Sequence, residues 1–77
     1  MGTPFYDMAL IRNYISTLIN GNKNPPPENL KDKICQLDDK TLREIIDDTA
    51  EYILNVKMDD RRRDEILKFI KDICVQS

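Results

Sequence analysis

Arg61, Arg62 and Arg63 set three permanently charged guanidinium groups in a row. Forked donors of this kind suit the carboxylates of an acidic peptide or the oxygens of a phosphate. The acids around them, Asp59, Asp60, Asp64 and Glu65, offer local partners instead, and Asp47 or Glu51 offers one across a helical hairpin. Three adjacent acid pairs, Asp38/Asp39, Asp47/Asp48 and Asp59/Asp60, invite a divalent cation, but neighbours at i and i+1 on a helix do not face each other. Two of the pairs read more simply as helix caps. Asp47, Asp48 and Glu51 are left as a solvated face open to a basic partner. Covalent and acid–base catalysis lack their parts. The chain has no histidine, no glycine-rich phosphate loop, and no base set by motif beside Ser16, Cys35 or Cys74. The expectation is a non-enzymatic chain with no cofactor and no metal site.

Cys35 and Cys74 each sit at an apolar helical phase, far apart and outside any CxxC or Cys/His spacing. That pattern reads as two reduced thiols acting as small hydrophobes, and hence as a reducing, intracellular setting, cytoplasmic or nuclear. No apolar run approaches the length that spans a bilayer, and no basic stretch followed by an apolar core opens the chain. Two lipidation patterns are incomplete. Tyr6 stands where myristoylation of Gly2 wants Ser or Thr, and Gln76 stands where a prenylation box ending Cys74-Val75-Gln76-Ser77 wants an aliphatic residue. A net charge of −2 creates no field that makes nucleic acid or anionic lipid an obligatory partner.

The elements that carry these side chains are helices. A length of 77 residues allows one small domain, and two glycines with few aromatics against abundant Ile, Leu, Lys, Asp and Glu disfavour a sheet. Thr3-Pro4 reads as an N-cap and first helical proline, opening a stripe of Met8, Ile11, Ile15 and Leu18 with Tyr14 beside it. Asn20-Gly21-Asn22 turns the chain. Pro25-Pro26-Pro27 then forms a stiff spacer with no second anchor for an SH3 or WW groove. Leu30, Ile34 and Leu37 mark the next helix, with Glu28 at its positive end. Asp38 caps a third helix, with Leu37 and Leu42 as a hydrophobic staple. From there Leu42, Ile45, Ile46, Ile53 and Val56 recur at helical spacing, predicting one continuous apolar face. Asp59 or Asp60 caps a fourth helix bearing Ile66, Leu67, Ile70, Ile73 and Cys74, flanked by Phe69. The reading is an all-α four-helix bundle with helices near 4–19, 27–36, 39–56 and 60–75.

Within this layout, residues 32–48 resemble a Spa2-homology repeat, the module of GIT-type ArfGAP scaffolds and the fungal polarity protein Spa2. The pattern falls on Lys33-Ile34, Leu37-Asp38, Leu42, Glu44-Ile45 and Asp48, and is departed from at Thr49-Ala50-Glu51-Tyr52. The resemblance implies a scaffold module that docks signalling or cytoskeletal proteins through a helical groove. Leu10 to Ile15, the proline connector and Leu37-Asp38-Asp39 are also similar in layout to PWI-type RNA-processing domains, without the Pro-Trp-Ile signature; that resemblance implies nucleic-acid binding. Phe5, Tyr6 and Phe69 are apolar anchors that the core stripes do not fully claim, and a leftover apolar edge would also serve homodimerisation. The expected function is a protein–protein interaction domain of a larger intracellular adaptor, binding a helix or peptide. Its candidate contacts are Arg61, Arg62, Arg63, Phe5, Tyr6, Phe69, Asp48 and Glu51.

Overall fold

Short-range hydrogen bonds start and stop the helices. The computed structural model describes residues 5–75, which form α1 (Phe5–Ile19), α2 (Glu28–Cys35), α3 (Asp39–Asp48) and α4 (Asp60–Val75), with no strand among the described residues. At the end of α1, Gly21 takes φ +104°, while the Asn22 N–H donates to the Thr17 carbonyl and the Gly21 N–H to that of Leu18. This is a Schellman cap, in which a residue without Cβ satisfies two orphan carbonyls. The polar connector that follows is tied back by the Tyr14 hydroxyl, which donates to the Asn24 carbonyl at 2.6 Å. Partial burial raises the Tyr14 pKa above that of a free phenol. Asp38 caps α3 by accepting from the Thr41 N–H at 2.8 Å, and Asp59 caps α4 by accepting from that of Arg62 at 2.7 Å. Thr3 and Pro4, read as the start of the first helix, lie outside the described residues, as do Gly2 and the Gln76-Ser77 end.

Side-chain pairs set the topology. Lys33 late in α2 meets Asp7 early in α1 at 2.6 Å. Lys71 late in α4 meets Asp39 at the start of α3 at 2.5 Å, and Arg63 early in α4 meets Asp47 late in α3 at 2.9 Å. Successive helices therefore run in alternating directions, as short connections between neighbours require. The sides facing inward join as one core, with Ile11, Ile15, Ile34, Ile46 and Ile70 fully enclosed and Leu18, Leu30, Leu42 and Leu67 around them. These are the stripes expected from the helical spacing. Ile73 and Cys74, at the end of the α4 stripe, are only half-buried.

Two expectations are corrected. The third helix does not run to residue 56: α3 ends at Asp48 and widens into a π-helical turn, Thr49–Ile53, after which the chain leaves the helix. The Leu54 N–H donates to the Thr49 carbonyl, five residues back, and the Val56 N–H to that of Ala50. Asn55, at φ +53°, is the left-handed residue that closes this end. A π-turn takes up one residue more than an α-turn, so every later side chain is rotated out of the α-helical phase. Leu54 returns to pack on the core, while Ile53 and Val56, expected inside, lie exposed. Small side chains sit at the turning point, with Thr49 and Ala50 fully buried where α1 packs against the π-turn. Among the described residues the Thr49 hydroxyl has no hydrogen-bond partner, a cost of about 1–3 kcal/mol.

The second correction is the cysteines. Cys35 and Cys74 are not reduced thiols but a disulfide, with an S–S distance of 2.03 Å and Cα atoms 5.7 Å apart. Each closes the apolar stripe of its own helix, and the alternating topology brings the C-terminal ends of α2 and α4 together. A disulfide-bonded Cys74 also has no thiol to prenylate. The second helix, expected near 27–36, spans Glu28–Cys35 with Pro27 and Gln36 as its flanking caps. No described helix is long and apolar enough to cross a membrane.

Candidate interaction surface

The three arginines do not form one knuckle. At the first turn of α4 their side chains fan out by about 100° each, and each meets different neighbours. The Arg62 guanidinium donates to the Ile19 carbonyl, placing a cation on the negative end of the α1 dipole. Arg63 is held by two carboxylates, Asp47 and Asp60, each at 2.9 Å. The hydrogen bond to Asp47, foremost, holds its guanidinium in the charged form more firmly than usual. Arg61 is 91% exposed and reaches only Glu65, at 3.6 Å, a pair that contributes little in water. The acids offered by the sequence thus account for Arg63, through Asp47 and Asp60, and only weakly for Arg61, through Glu65, while Arg62 is taken up by a carbonyl of α1 instead.

The aromatic anchors are separated as well. Phe5 and Tyr6, 89% and 72% exposed, lie at the end of the bundle where α1 starts and α2 finishes. Phe69 is half-buried against the core. With Leu18 and Ile66 it floors an open groove of about 590 Å³ between α4 and the turn at Gly21, whose rim carries Lys23, Arg62, Lys68, Glu65 and Asp72. Three cations and two carboxylates are mixed on that rim, which marks it for a partner of neither sign.

A different surface gathers at the π-turn. Tyr52 is 77% exposed, Ile53 57% and Val56 43%, three apolar side chains close in the chain and each open to solvent. Beside them is an open recess of about 550 Å³ lined by Asp47, Glu51, Asn55, Val56, Lys57, Met58 and Arg63. Asp48 and Glu51 are exposed nearby. Of the residues expected to meet a partner, the fold thus assembles Asp48, Glu51 and Arg63 here, and leaves Arg62, Phe69, Phe5 and Tyr6 elsewhere. Tyr52 was missed by sequence reasoning, while Ile53 and Val56 were assigned to the core. The available signal was Asn55, a residue tolerant of the left-handed conformation, together with the Ala50/Leu54 spacing that competes with Thr49/Ile53 for the inward phase. Among the described residues no group of three or more His, Cys, Asp or Glu side chains is arranged to hold a metal ion.

No protein-family model matches the sequence, and comparisons with curated proteins and with solved structures gave no match.

Proposed function

We propose that this chain is a non-catalytic protein-interaction module whose recognition surface is centred on the π-turn. The observation that carries this reading is the outward placement of Tyr52, Ile53 and Val56. An α-helical continuation would bury Ile53 in line with Leu42, Ile46 and Thr49; the π-turn exchanges it for Leu54, next to a buried Thr49 hydroxyl that has no hydrogen-bond partner among the described residues. A small domain has few apolar side chains to spare, and a contiguous exposed group of them marks a place where something docks. π-turns are themselves concentrated at functional positions. The resemblance of residues 32–48 to a Spa2-homology repeat points to the same class of function, a scaffold module for signalling or cytoskeletal proteins. The missing histidine, and the joining of both cysteines to each other, support a non-enzymatic role.

The nucleic-acid alternative has less support, since Arg62 and Arg63 are engaged within the protein and Arg61 alone is a small electrostatic footprint. Disulfides persist in oxidising surroundings. The bridge removes the reduced thiols on which the expectation of a cytoplasmic or nuclear location stood. The test is affinity capture with the intact chain against its Ile53→Asp variant. The substitution lies in solvent, so circular dichroism and the melting midpoint are expected to stay unchanged while partner recovery is lost. Equal recovery by the two proteins would remove the π-turn from the recognition surface.

A further inference from the structure

Building on the π-turn as a docking surface, we propose that its partner is a basic amphipathic helix or peptide. Its apolar side chains would lie on Tyr52, Ile53 and Val56, with its cations against Asp48 and Glu51. Size selects the kind of partner. The three side chains leave roughly 300 Å² of accessible surface, whereas a stable complex of two folded proteins buries about 800 Å² on each. One face of a single helix or an extended peptide covers a patch of that size. A second copy of the chain is therefore the weaker occupant.

Charge selects its sign. Asp47 is already neutralised by Arg63, which also holds Asp60. Glu44, Asp48 and Glu51 make no ion pair or side-chain hydrogen bond among the described residues. Glu44 and Asp48 stand one turn apart on the exposed side of α3, and Glu51 is exposed in the π-turn beside Tyr52, so Asp48 and Glu51 flank the apolar side chains in the chain. On the other rim of the recess Lys57 is the unpaired cation. An acidic partner would meet more repulsion than attraction, while lysines or arginines one helical turn apart would meet Asp48 and Glu51 as they leave water.

The experiment uses the disulfide-intact chain labelled with nitrogen-15, and two synthetic amphipathic peptides with the same leucine face. One peptide has a lysine polar face and the other a glutamate polar face. The lysine peptide is expected to shift the amide signals of Asp48, Glu51, Tyr52, Ile53 and Val56 saturably, with weaker binding as salt rises. The Asp48→Asn/Glu51→Gln double variant, whose unshifted spectrum elsewhere reports an intact fold, should bind it about tenfold more weakly. The glutamate peptide should leave these signals in place. Equal shifts with both peptides would overturn the basic partner while leaving the apolar docking surface standing. Silence of the patch toward both would overturn both readings. Concentration-dependent shifts of the same signals without peptide, with a doubled mass in sedimentation, would assign the surface to a second copy and overturn this inference.

Discussion

Arg61, Arg62 and Arg63 are chemically identical and physically unequal. Arg62 satisfies a terminal carbonyl of α1, Arg63 bridges α3 and the start of α4, and Arg61 stands in solvent. Arg62→Ala is expected to lower stability by about 1 kcal/mol through loss of the helix-end contact, and Arg61→Ala by less than about 0.5 kcal/mol. Urea titration of the two variants checks the ordering; a larger loss at Arg61 would contradict it. Asp38 yields a pH prediction. Its hydrogen bond from Thr41 holds the carboxyl below its ordinary range in the folded chain, so the unfolded state binds more protons as the solution is acidified. The stabilisation is fully present above the unfolded value near 4 and is lost as the pH falls through the folded one. The gap in melting midpoint between the wild type and Asp38→Ala should therefore be constant at neutral pH and narrow below about pH 4.

At the scale of elements, the π-turn decides what the molecule presents. It takes one extra residue between Ala50 and Leu54, and that residue moves Ile53 from the core side to solvent. Deleting Glu51 should let the segment wind as a regular α-helix with Leu54 still directed inward. Circular dichroism is expected to show helix content kept or raised and the melting midpoint held to within a few degrees. The outward cluster of Tyr52, Ile53 and Val56 is broken up, and with it binding at this surface. A deletion variant that unfolds would instead make the π-turn a requirement of packing against α1. Most of the element plan was legible in the sequence, because Gly21, Asp38 and Asp59 act on groups two to four residues away. The phase beyond Asp48 was not. Thr49/Ile53 and Ala50/Leu54 are both spaced for an inward face, and the contact with α1 chooses between them.

Across the whole molecule, the Cys35–Cys74 bridge joins the ends of α2 and α4 over a sequence separation of 39 residues. Closing a loop of that length removes unfolded-chain entropy equivalent to about 4 kcal/mol at room temperature. That is a large share of the stability a domain of this size can hold. Reduction, or Cys35→Ser, should lower the denaturation midpoint markedly, and Cys74→Ser in the reduced protein should add little more. Identical midpoints with and without reductant would show that the bridge contributes nothing. Such a dependence makes the redox state part of any binding measurement, because the bridge closes the end of the bundle opposite the π-turn.

Helix count, direction changes and the inward stripes of α1, α2 and α4 follow from residue order alone, since capping and amphipathic spacing act within a turn or two of the chain. The pairing of the cysteines, the separate fates of three neighbouring arginines, and the exposure of Ile53 and Val56 do not. Each depends on which helix end arrives beside which. That is set by the joint packing of four apolar faces, where a rotation of one residue exchanges core for surface.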